Sequence, residues 1–351
     1  MTTITSLTAS AHDLSLREPF EISLGTREQA RNVLVTVETD SGVRGYGEGS
    51  PLPPVTGETQ RAALATAQAT ASLLEGRDVR NYRALVRELR DAFPGAVSAL
   101  FAVETAILDA YCRERVIPLS ELFGGPATPV ETDLTVPILP PETAGERAGA
   151  AAEAGFDQLK VKTGGRVAAD LERVVAVHEA APEATLKVDA NQGWTPAESE
   201  RFVEGLAARG IDLALLEQPV AKDDIAGLAR VRDSVSVPVA ADEAVFSPAD
   251  AIRVVREDAA DVINVKLGKS GLLETAAIAD IARGANLELM VGCMLESAVG
   301  IHTSAHLVAG LGAFDYVDLD GNLLLAEDVT DTAFGPTIAP SGPGHGVEPG
   351  S

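Results

Sequence analysis

The chain has 351 residues, a length that corresponds to about two domains. Its 28 Lys and Arg residues against 52 Asp and Glu residues leave a formal net charge of −24, which argues against binding to nucleic acid or to an anionic membrane. The hydrophobic fraction of 46% excludes wholesale disorder, and no run of 18 apolar residues is present to span a membrane.

The N-terminal segment and the cysteines indicate the cellular compartment in which the protein is expected. The segment has no basic stretch followed by an apolar stretch, so we expect no secretory signal. Cys112 and Cys293 are too few for a disulfide framework and indicate a reducing environment. We therefore expect a cytoplasmic protein.

The first third of the chain changes from a strand pattern to a helix pattern. Residues 1 to about 50 alternate apolar and polar positions, with a hairpin turn at Ser41 and Gly42. From Thr59 to about Val116 the pattern is helical and rich in alanine. Strands followed by helices predict a small α+β domain, which we assign to residues 1–125.

After about Pro126, eight short apolar runs alternate with helical patterns. The runs are TDLTVPI, FDQLKVKT, ATLKVDAN, DLALLEQP, VPVAADEA, DVINVKLG, LELMVGC and AFDYVDLDG. This alternation predicts a closed (β/α)₈ barrel over residues 126–325, with an open doubly wound sheet as the alternative. Residues 326–351 are rich in Pro and Gly and are expected to form a tail that returns to the first domain.

Five successive predicted strands end in ionisable residues. Because the carboxyl ends of barrel strands meet at one rim, we expect these side chains to converge there. Side chains two residues apart lie on one face of a strand, so Lys160 and Lys162 point the same way. The full set is Lys160, Lys162, Asp189, Glu217, Asp242 and Lys266.

Three of these residues are carboxylates on adjacent strands. Such a cluster repels itself unless a cation binds, and a hard divalent ion such as Mg²⁺ prefers oxygen ligands. Zinc fits less well, because no His or Cys shares these strand ends. We expect lysines beside the cation to have a lowered pKa, as a base near neutral pH requires. This arrangement suits removal of the α-proton of a carboxylate substrate.

The segments LKVKT, VDANQGW, LLEQPV, ADEAVF, INVKLGKSG and CMLESAVG occur in this order. In these motifs the chain resembles the muconate-lactonising-enzyme subgroup of the enolase superfamily. The resemblance implies an α/β fold, a modified (β/α)₇β TIM barrel with an N-terminal α+β capping domain. It further implies Mg²⁺ as cofactor with the ligands Asp189, Glu217 and Asp242.

The same resemblance assigns roles to other residues. Lys162 and Lys266 would be the opposed acid/base pair, and Lys160 would stabilise the enolate. Asn191 would support the metal site. We place Glu243 beside the metal ligands. The expected substrate contacts include Thr135, Met294 and Glu296.

The eighth predicted strand contains Asp318 and Asp320, which share one face. Two carboxylates there could pair with an ammonium group, although they could instead shape the turn at Gly321. The motif resembles that of dipeptide epimerases, which implies a dipeptide with its amine on the two aspartates and its carboxylate on Mg²⁺. A 1,1-proton transfer through an enediolate would then invert the α-carbon of the C-terminal residue.

By the same resemblance, a mobile loop at residues 22–32, with residues 55–59 nearby, would close over the substrate side chain. Leu24 and Gly25 stand where Ala-Glu epimerases often carry an arginine, and Arg27 and Arg31 follow. Because of this difference, we leave open whether the substrate is L-Ala-L/D-Glu or a related dipeptide.

We predict an isomerase, a Mg-dependent dipeptide epimerase, with a small-molecule substrate. The enzymatic alternatives are N-succinylamino acid racemase, o-succinylbenzoate synthase and muconate cycloisomerase, whose anionic substrates have no free amine. A catalytically silent binding protein on the same scaffold is the non-enzymatic alternative. Side-chain preference, pathway and assembly into a homo-oligomer stay open.

Overall fold

The computed structural model describes residues 2–331 and 333–350. Its first three strands form an antiparallel sheet, in which β2 lies between β1 and β3. The turn between β2 and β3 closes with a hydrogen bond from Gly42 N to Thr39 O at 2.9 Å, which confirms the predicted hairpin. These strands are β1 (Ile4–Ile22), β2 (Gly25–Thr39) and β3 (Arg44–Gly49).

Four helices follow this sheet. They are α1 (Pro53–Thr56), α2 (Gln60–Leu74), α3 (Tyr82–Ala92) and α4 (Val97–Arg115). Helix α4 packs directly on β3, where Gly45, Gly47 and Gly49 lie on one face of the strand. A Cβ atom at Gly47 would stand 2.0 Å from Ala102 O, so the absence of side chains lets the helix approach the strand closely. We call this unit the cap.

Eight parallel strands then form the barrel in the order in which they occur along the chain. A hydrogen bond from Asp133 N to Val317 O at 3.4 Å links the first strand to the last. The open doubly wound alternative is therefore wrong. The barrel strands are β5 (Leu134–Val136), β6 (Gln158–Lys162), β7 (Thr185–Asp189), β8 (Leu215–Glu217), β9 (Val239–Ala241), β10 (Val262–Lys266), β11 (Glu288–Gly292) and β12 (Tyr316–Asp318).

Helices connect each of these strands to the next. After β12 the described residues form a 3₁₀ turn at Gly321–Leu324 and no further α-helix, so the fold is the expected (β/α)₇β barrel. The apolar core lies between the strands and the helices. The barrel helices are α5 (Pro141–Glu153), α6 (Val167–Ala180), α7 (Pro196–Ala207), α8 (Ile225–Ser234), α9 (Pro248–Arg256), α10 (Leu267–Ser270), α11 (Leu272–Gly284) and α12 (Ala298–Leu311).

Buried carboxylates of the cap bind the N-termini of barrel helices. Glu48 accepts hydrogen bonds from Ser297 N at 3.0 Å and from Gly300 N at 3.2 Å, at the start of α12. Glu104 accepts one from Leu273 N at 2.8 Å, at the start of α11. A negative charge is favourable at a helix N-terminus, so both contacts fix the cap on the barrel.

The C-terminal segment contacts both parts of the chain. Strand β13 (Thr337–Ile338) pairs with β4 (Val130–Glu131) beside the barrel. Further along, His345 N donates to Asp109 Oδ1 at 2.9 Å on α4 of the cap. We keep residues 1–125, 126–325 and 326–351 as the proposed domain division.

The contact between β3 and α4 generates a prediction. We expect Gly47→Ala to lower the free energy of unfolding by about 1–3 kcal/mol or more, because its Cβ would overlap the backbone of α4. The control is Gly284→Ala at the exposed end of α11, where a Cβ meets nothing within 4 Å. We expect stability there to stay the same or rise by up to about 1 kcal/mol. Equal effects of the two substitutions in urea unfolding would contradict the packing argument.

Candidate active site

The ionisable strand ends meet at the carboxyl rim of the barrel. Lys162 lies beside Asp189 in the register of β6 and β7, and Asp189 lies beside Glu217 in that of β7 and β8. Asp242 follows directly after β9, and Lys266 is the last residue of β10. All of these side chains are buried. The predicted convergence of the strand ends is therefore present in the structure.

Three carboxylates form one cluster at this rim. Oxygens of Asp189, Glu217 and Asp242 lie within 4.8 Å of one another. Asn264 Nδ2 donates to Glu217 Oε1 at 2.6 Å and so orients that carboxylate. Three buried carboxylates at this spacing could serve as oxygen ligands of a hard divalent cation, which would neutralise their mutual repulsion.

The pKa values of these groups reflect their burial first and the neighbouring charges second. Burial, together with Asp189, raises the pKa of Glu217 to about 8. Burial also acts to raise the pKa of Asp242, but the ammonium groups of Lys266 and Lys269 outweigh it and lower this pKa. Beside the cluster, burial and Asp242 raise the pKa of Glu243 to about 7. The cluster therefore depends on neighbouring positive charge.

Two lysines face each other across the barrel mouth. Lys162 is on β6 and Lys266 on β10, four strands apart in the ring of eight. Their Nζ atoms lie 2.7 Å from Asp189 Oδ2 and 2.7 Å from Asp242 Oδ2, respectively. Burial lowers the pKa of Lys266, but Asp242 more than offsets this and the net pKa is raised. The raised pKa reflects the ion pair of Lys266 with Asp242, and the expected lowering of the lysine pKa by a bound cation stays a prediction.

Lys160 lies deeper in the barrel than Lys162 and is fully buried. Its Nζ is 2.6 Å from Glu217 Oε2, 2.6 Å from Asp318 Oδ2 and 3.1 Å from Asp189 Oδ2. Burial lowers its pKa, but Asp318 and the other carboxylates raise it well above the usual value. Lys160 thus carries a fixed positive charge between the carboxylate cluster and the eighth strand.

Asp318 and Asp320, which we call the acidic pair, face the same cavity from the last residue of β12 and from the segment just after it. Thr135 joins them: its backbone N donates to Asp320 Oδ2 at 2.6 Å, and its Oγ1 lies 3.5 Å from Asp318 Oδ1. Burial raises the pKa of Asp320 to about 6, with repulsion from Asp318 as the next cause. Burial also disfavours the charged form of Asp318, but Lys160 outweighs this and lowers its pKa.

A cavity of about 700 Å³ lies between the barrel mouth and the cap. Residues 22–32 cover it, as expected, but they form the end of the β1–β2 hairpin and not an irregular loop. Its turn is fixed by a hydrogen bond from Ser23 Oγ to Asn191 O at 2.6 Å. The lining residues from the cap include Phe20, Ile22, Leu24, Gly25, Arg27, Arg31, Leu52, Pro53, Val55, Thr59 and Arg61.

The remaining predicted residues separate into two groups. Met294, Asn191 and Glu243 line the cavity, and Asn191 Nδ2 donates to Glu243 Oε1 at 3.2 Å. Glu296 lies behind the wall, where Ser50 Oγ donates to its Oε1 at 3.1 Å. Glu296 is not among the residues that line the cavity, so the structure does not bring it there with the other predicted contacts.

Sequence reasoning missed several residues that hold the site. The Nζ of Lys269 donates to the carboxylate and the backbone oxygen of Asp242. Gln218 Oε1 accepts from Asp242 N at 2.9 Å and from Ala244 N at 3.1 Å. One signal was available for Asn264: it lies two residues before Lys266 and therefore on the same strand face.

A search of the described residues for membrane spans found no helix with the length and apolar character needed to cross a lipid bilayer.

Comparison with protein-family models identifies two matching regions. The model described as "Mandelate racemase / muconate lactonizing enzyme, N-terminal domain" matches residues 4–124. The model described as "Enolase C-terminal domain-like" matches residues 143–350.

Two relatives align over most of the chain. The aromatic dipeptide epimerase of Herpetosiphon aurantiacus is 42% identical over 333 residues, which cover 93% of this chain and 92% of that protein. The L-Ala-D/L-Glu epimerase of Thermotoga maritima is 40% identical over 329 residues, which cover 94% of this chain and 95% of that protein.

Two solved structures share the fold. A dipeptide epimerase from Enterococcus faecalis, complexed with Mg and the dipeptide L-Leu-L-Tyr, has a TM-score of 0.90 at 35% identity and covers 95% of this chain and 96% of that one. An N-succinyl Arg/Lys racemase from Bacillus cereus has a TM-score of 0.95 at 29% identity and covers 99% and 96%. The fold alone therefore does not choose between these activities. By sequence and fold, the chain belongs to the mandelate racemase/muconate lactonizing enzyme family of the enolase superfamily.

Proposed function

We propose that this chain is a Mg-dependent dipeptide epimerase, an isomerase that inverts the α-carbon of the C-terminal residue of a dipeptide. One observation carries the proposal: the acidic pair faces the same cavity as two lysines on opposite strands of the barrel. The lysines suit proton transfer at a carbon held between them. The acidic pair suits a free ammonium group, which a dipeptide has at its N-terminus.

The metal site is assigned to Asp189, Glu217 and Asp242, whose buried oxygens fit Mg²⁺. A magnesium ion bound there would attract the substrate carboxylate and stabilise the negative charge that forms on it when the α-proton leaves. Lys160 adds a fixed positive charge next to these carboxylates, 2.6 Å from Glu217 Oε2. Asn264 and Lys269 hold Glu217 and Asp242 in place through hydrogen bonds.

Lys162 and Lys266 are assigned as the acid/base pair. They lie on β6 and β10, four strands apart in the ring of eight, which supports a role on opposite faces of a bound substrate. One lysine accepts the α-proton from its face, and the other donates a proton from the opposite face, so the configuration is inverted. The Nζ of Lys266 lies 2.7 Å from Asp242 Oδ2, and this ion pair holds the lysine at the cavity for proton transfer.

The acidic pair, with Thr135, is assigned to the substrate ammonium. An N-succinylated amino acid, o-succinylbenzoate or muconate is anionic and has no free amine, so two carboxylates would repel it. The relatives that carry the name dipeptide epimerase support the same assignment. The cap wall combines apolar side chains such as Leu24 and Val55 with Arg27 and Arg31, so assays need dipeptides with both apolar and acidic side chains.

We also assign the enzyme to the cytoplasm. Cys112 and Cys293 are both free thiols, which supports a reducing compartment.

The lysine assignment predicts a specific kinetic result. We expect Lys162→Ala and Lys266→Ala each to lower epimerisation by about 10²–10⁴-fold, since inversion needs an acid and a base. Each variant should still exchange the α-proton of one configuration with D₂O, because the remaining lysine reaches that face. Mass spectrometry of both diastereomers in D₂O measures this.

The control is Lys222→Ala in the loop after β8, which is not among the residues that line the cavity and whose ammonium lies 5.6 Å from the centre of the Phe246 ring. It should keep the wild-type rate. Complete inversion by either active-site variant would contradict the two-base assignment.

The acidic pair predicts a pH-dependent KM. Because Asp320 has a pKa of about 6, it is charged above that pH and neutral below it, so KM for a dipeptide should rise as pH falls through 6. Asp320→Asn should raise KM about 10–100-fold at neutral pH and remove this pH dependence, as expected for a lost charged hydrogen bond. The control is Asp315→Asn, just before β12 at the opposite end of that strand. An unchanged KM in Asp320→Asn would exclude its role in ammonium binding.

A further inference from the structure

A third carboxylate lies beside the acidic pair. Asp133 directly precedes β5, and its oxygens lie within 4.8 Å of oxygens of Asp318 and Asp320. Asp133 is fully buried. Among the described residues, its Oδ1 has no hydrogen-bond partner. A buried carboxylate here must be compensated, because repulsion between charges is strong where water is excluded.

Burial raises the pKa of Asp133 well above its usual value, and Lys187 of β7 is the strongest influence that favours the charged carboxylate. Its Nζ lies 2.6 Å from Asp133 Oδ2. It also donates to Val317 O at 3.2 Å, next to Asp318 in the chain, and to Gln158 Oε1 at 3.3 Å. Lys187 is almost fully buried, so its charge acts on the neighbouring carboxylates with little screening by solvent.

The two aspartates of the acidic pair have different surroundings. Asp318 is paired with Lys160, whose Nζ lies 2.6 Å from its Oδ2. For Asp320, no lysine, arginine or histidine nitrogen lies within 4.0 Å in the described part of the chain, and its Oδ2 accepts from Thr135 N. Asp320 therefore holds the negative charge that the surrounding lysines leave uncompensated at the cavity.

We propose that Asp133 and Lys187 are positioning residues that set the charge of the acidic pair for a substrate ammonium. Paired, their charges cancel and leave the negative charge of Asp320 available. Without Asp133, the buried ammonium of Lys187 compensates the acidic pair itself. This inference rests on the proposed dipeptide epimerase function.

The test uses single and double variants of the full-length enzyme with Mg²⁺ and a dipeptide that the wild type epimerises. Asp133→Asn should raise KM about tenfold or more, because the charge of Lys187 then opposes the substrate ammonium. Its kcat and its Mg²⁺ affinity by calorimetry should stay within about threefold of wild type. The double variant Asp133→Asn/Lys187→Met should return KM to within about threefold of wild type.

A buried control separates charge from structure. Asp109→Asn in the cap removes a buried ion pair with Arg113, 2.7 Å away, and should lower the melting temperature without changing KM. The proposal is wrong if Asp133→Asn leaves KM unchanged, or if the double variant keeps the raised KM. If Asp133→Asn does not fold, the double variant decides alone: a KM near wild type supports the proposal and a tenfold rise overturns it.

Failure of the function itself is a separate result. If the wild type turns over no dipeptide, the proposed function is wrong and this inference falls with it. If the wild type is active and only the Asp133 variants behave otherwise than stated, the function stands and the inference alone is overturned.

Discussion

Repulsion among buried carboxylates is the constraint on which the rest of this structure depends. Asp189, Glu217 and Asp242 are brought together because parallel strands end at one rim of the barrel. Burial keeps solvent from screening their charges, and the raised pKa of Glu217 reflects the cost. Four lysines and one amide contact these carboxylates and reduce the repulsion: Lys160, Lys162, Lys266, Lys269 and Asn264. A divalent cation completes the same compensation and supplies the chemistry proposed for the site.

The same principle extends across the barrel interior. Lys160 touches both the carboxylate cluster and Asp318, so it connects the metal end of the site to the ammonium end. Lys187 on β7 pairs with the carboxylate of Asp133, which precedes β5, so the ion pair spans β6. Of Asp133, Asp318 and Asp320, only Asp320 has no cationic partner within 4.0 Å among the described residues. A substrate with one ammonium group and one carboxylate is complementary to this arrangement.

The strand ends could be predicted from the sequence because each one combines a short apolar run with a charged last residue. The eight apolar runs and their spacing were enough to predict the barrel. The motifs around Asp189, Glu217 and Asp242 were enough to identify the family. These features are local in the chain, so periodicity and motif order reveal them.

Other features depend on distant contacts and were missed. Lys187 lies two residues before Asp189 and so on the same strand face, but its pairing with Asp133 joins residues 54 positions apart and has no local signal. Glu296 follows Met294 by two residues, yet Ser50 of the cap holds it behind the cavity wall. The hairpin over the cavity forms because β1 and β2 pair in one register, and the spacing of residues in the sequence did not indicate that register.

Proton exchange at the α-carbon tests the central claim most directly. The wild-type enzyme would be incubated in D₂O with Mg²⁺ and pools of L,L-dipeptides, beside the same dipeptides with N-acetylated amines and samples with a chelator. The account predicts a gain of one deuteron in particular free dipeptides, loss of that gain with chelator, and a much slower gain after acetylation. Exchange in N-acylated substrates at the same rate or faster, or no exchange in any dipeptide with Mg²⁺ bound, would contradict it.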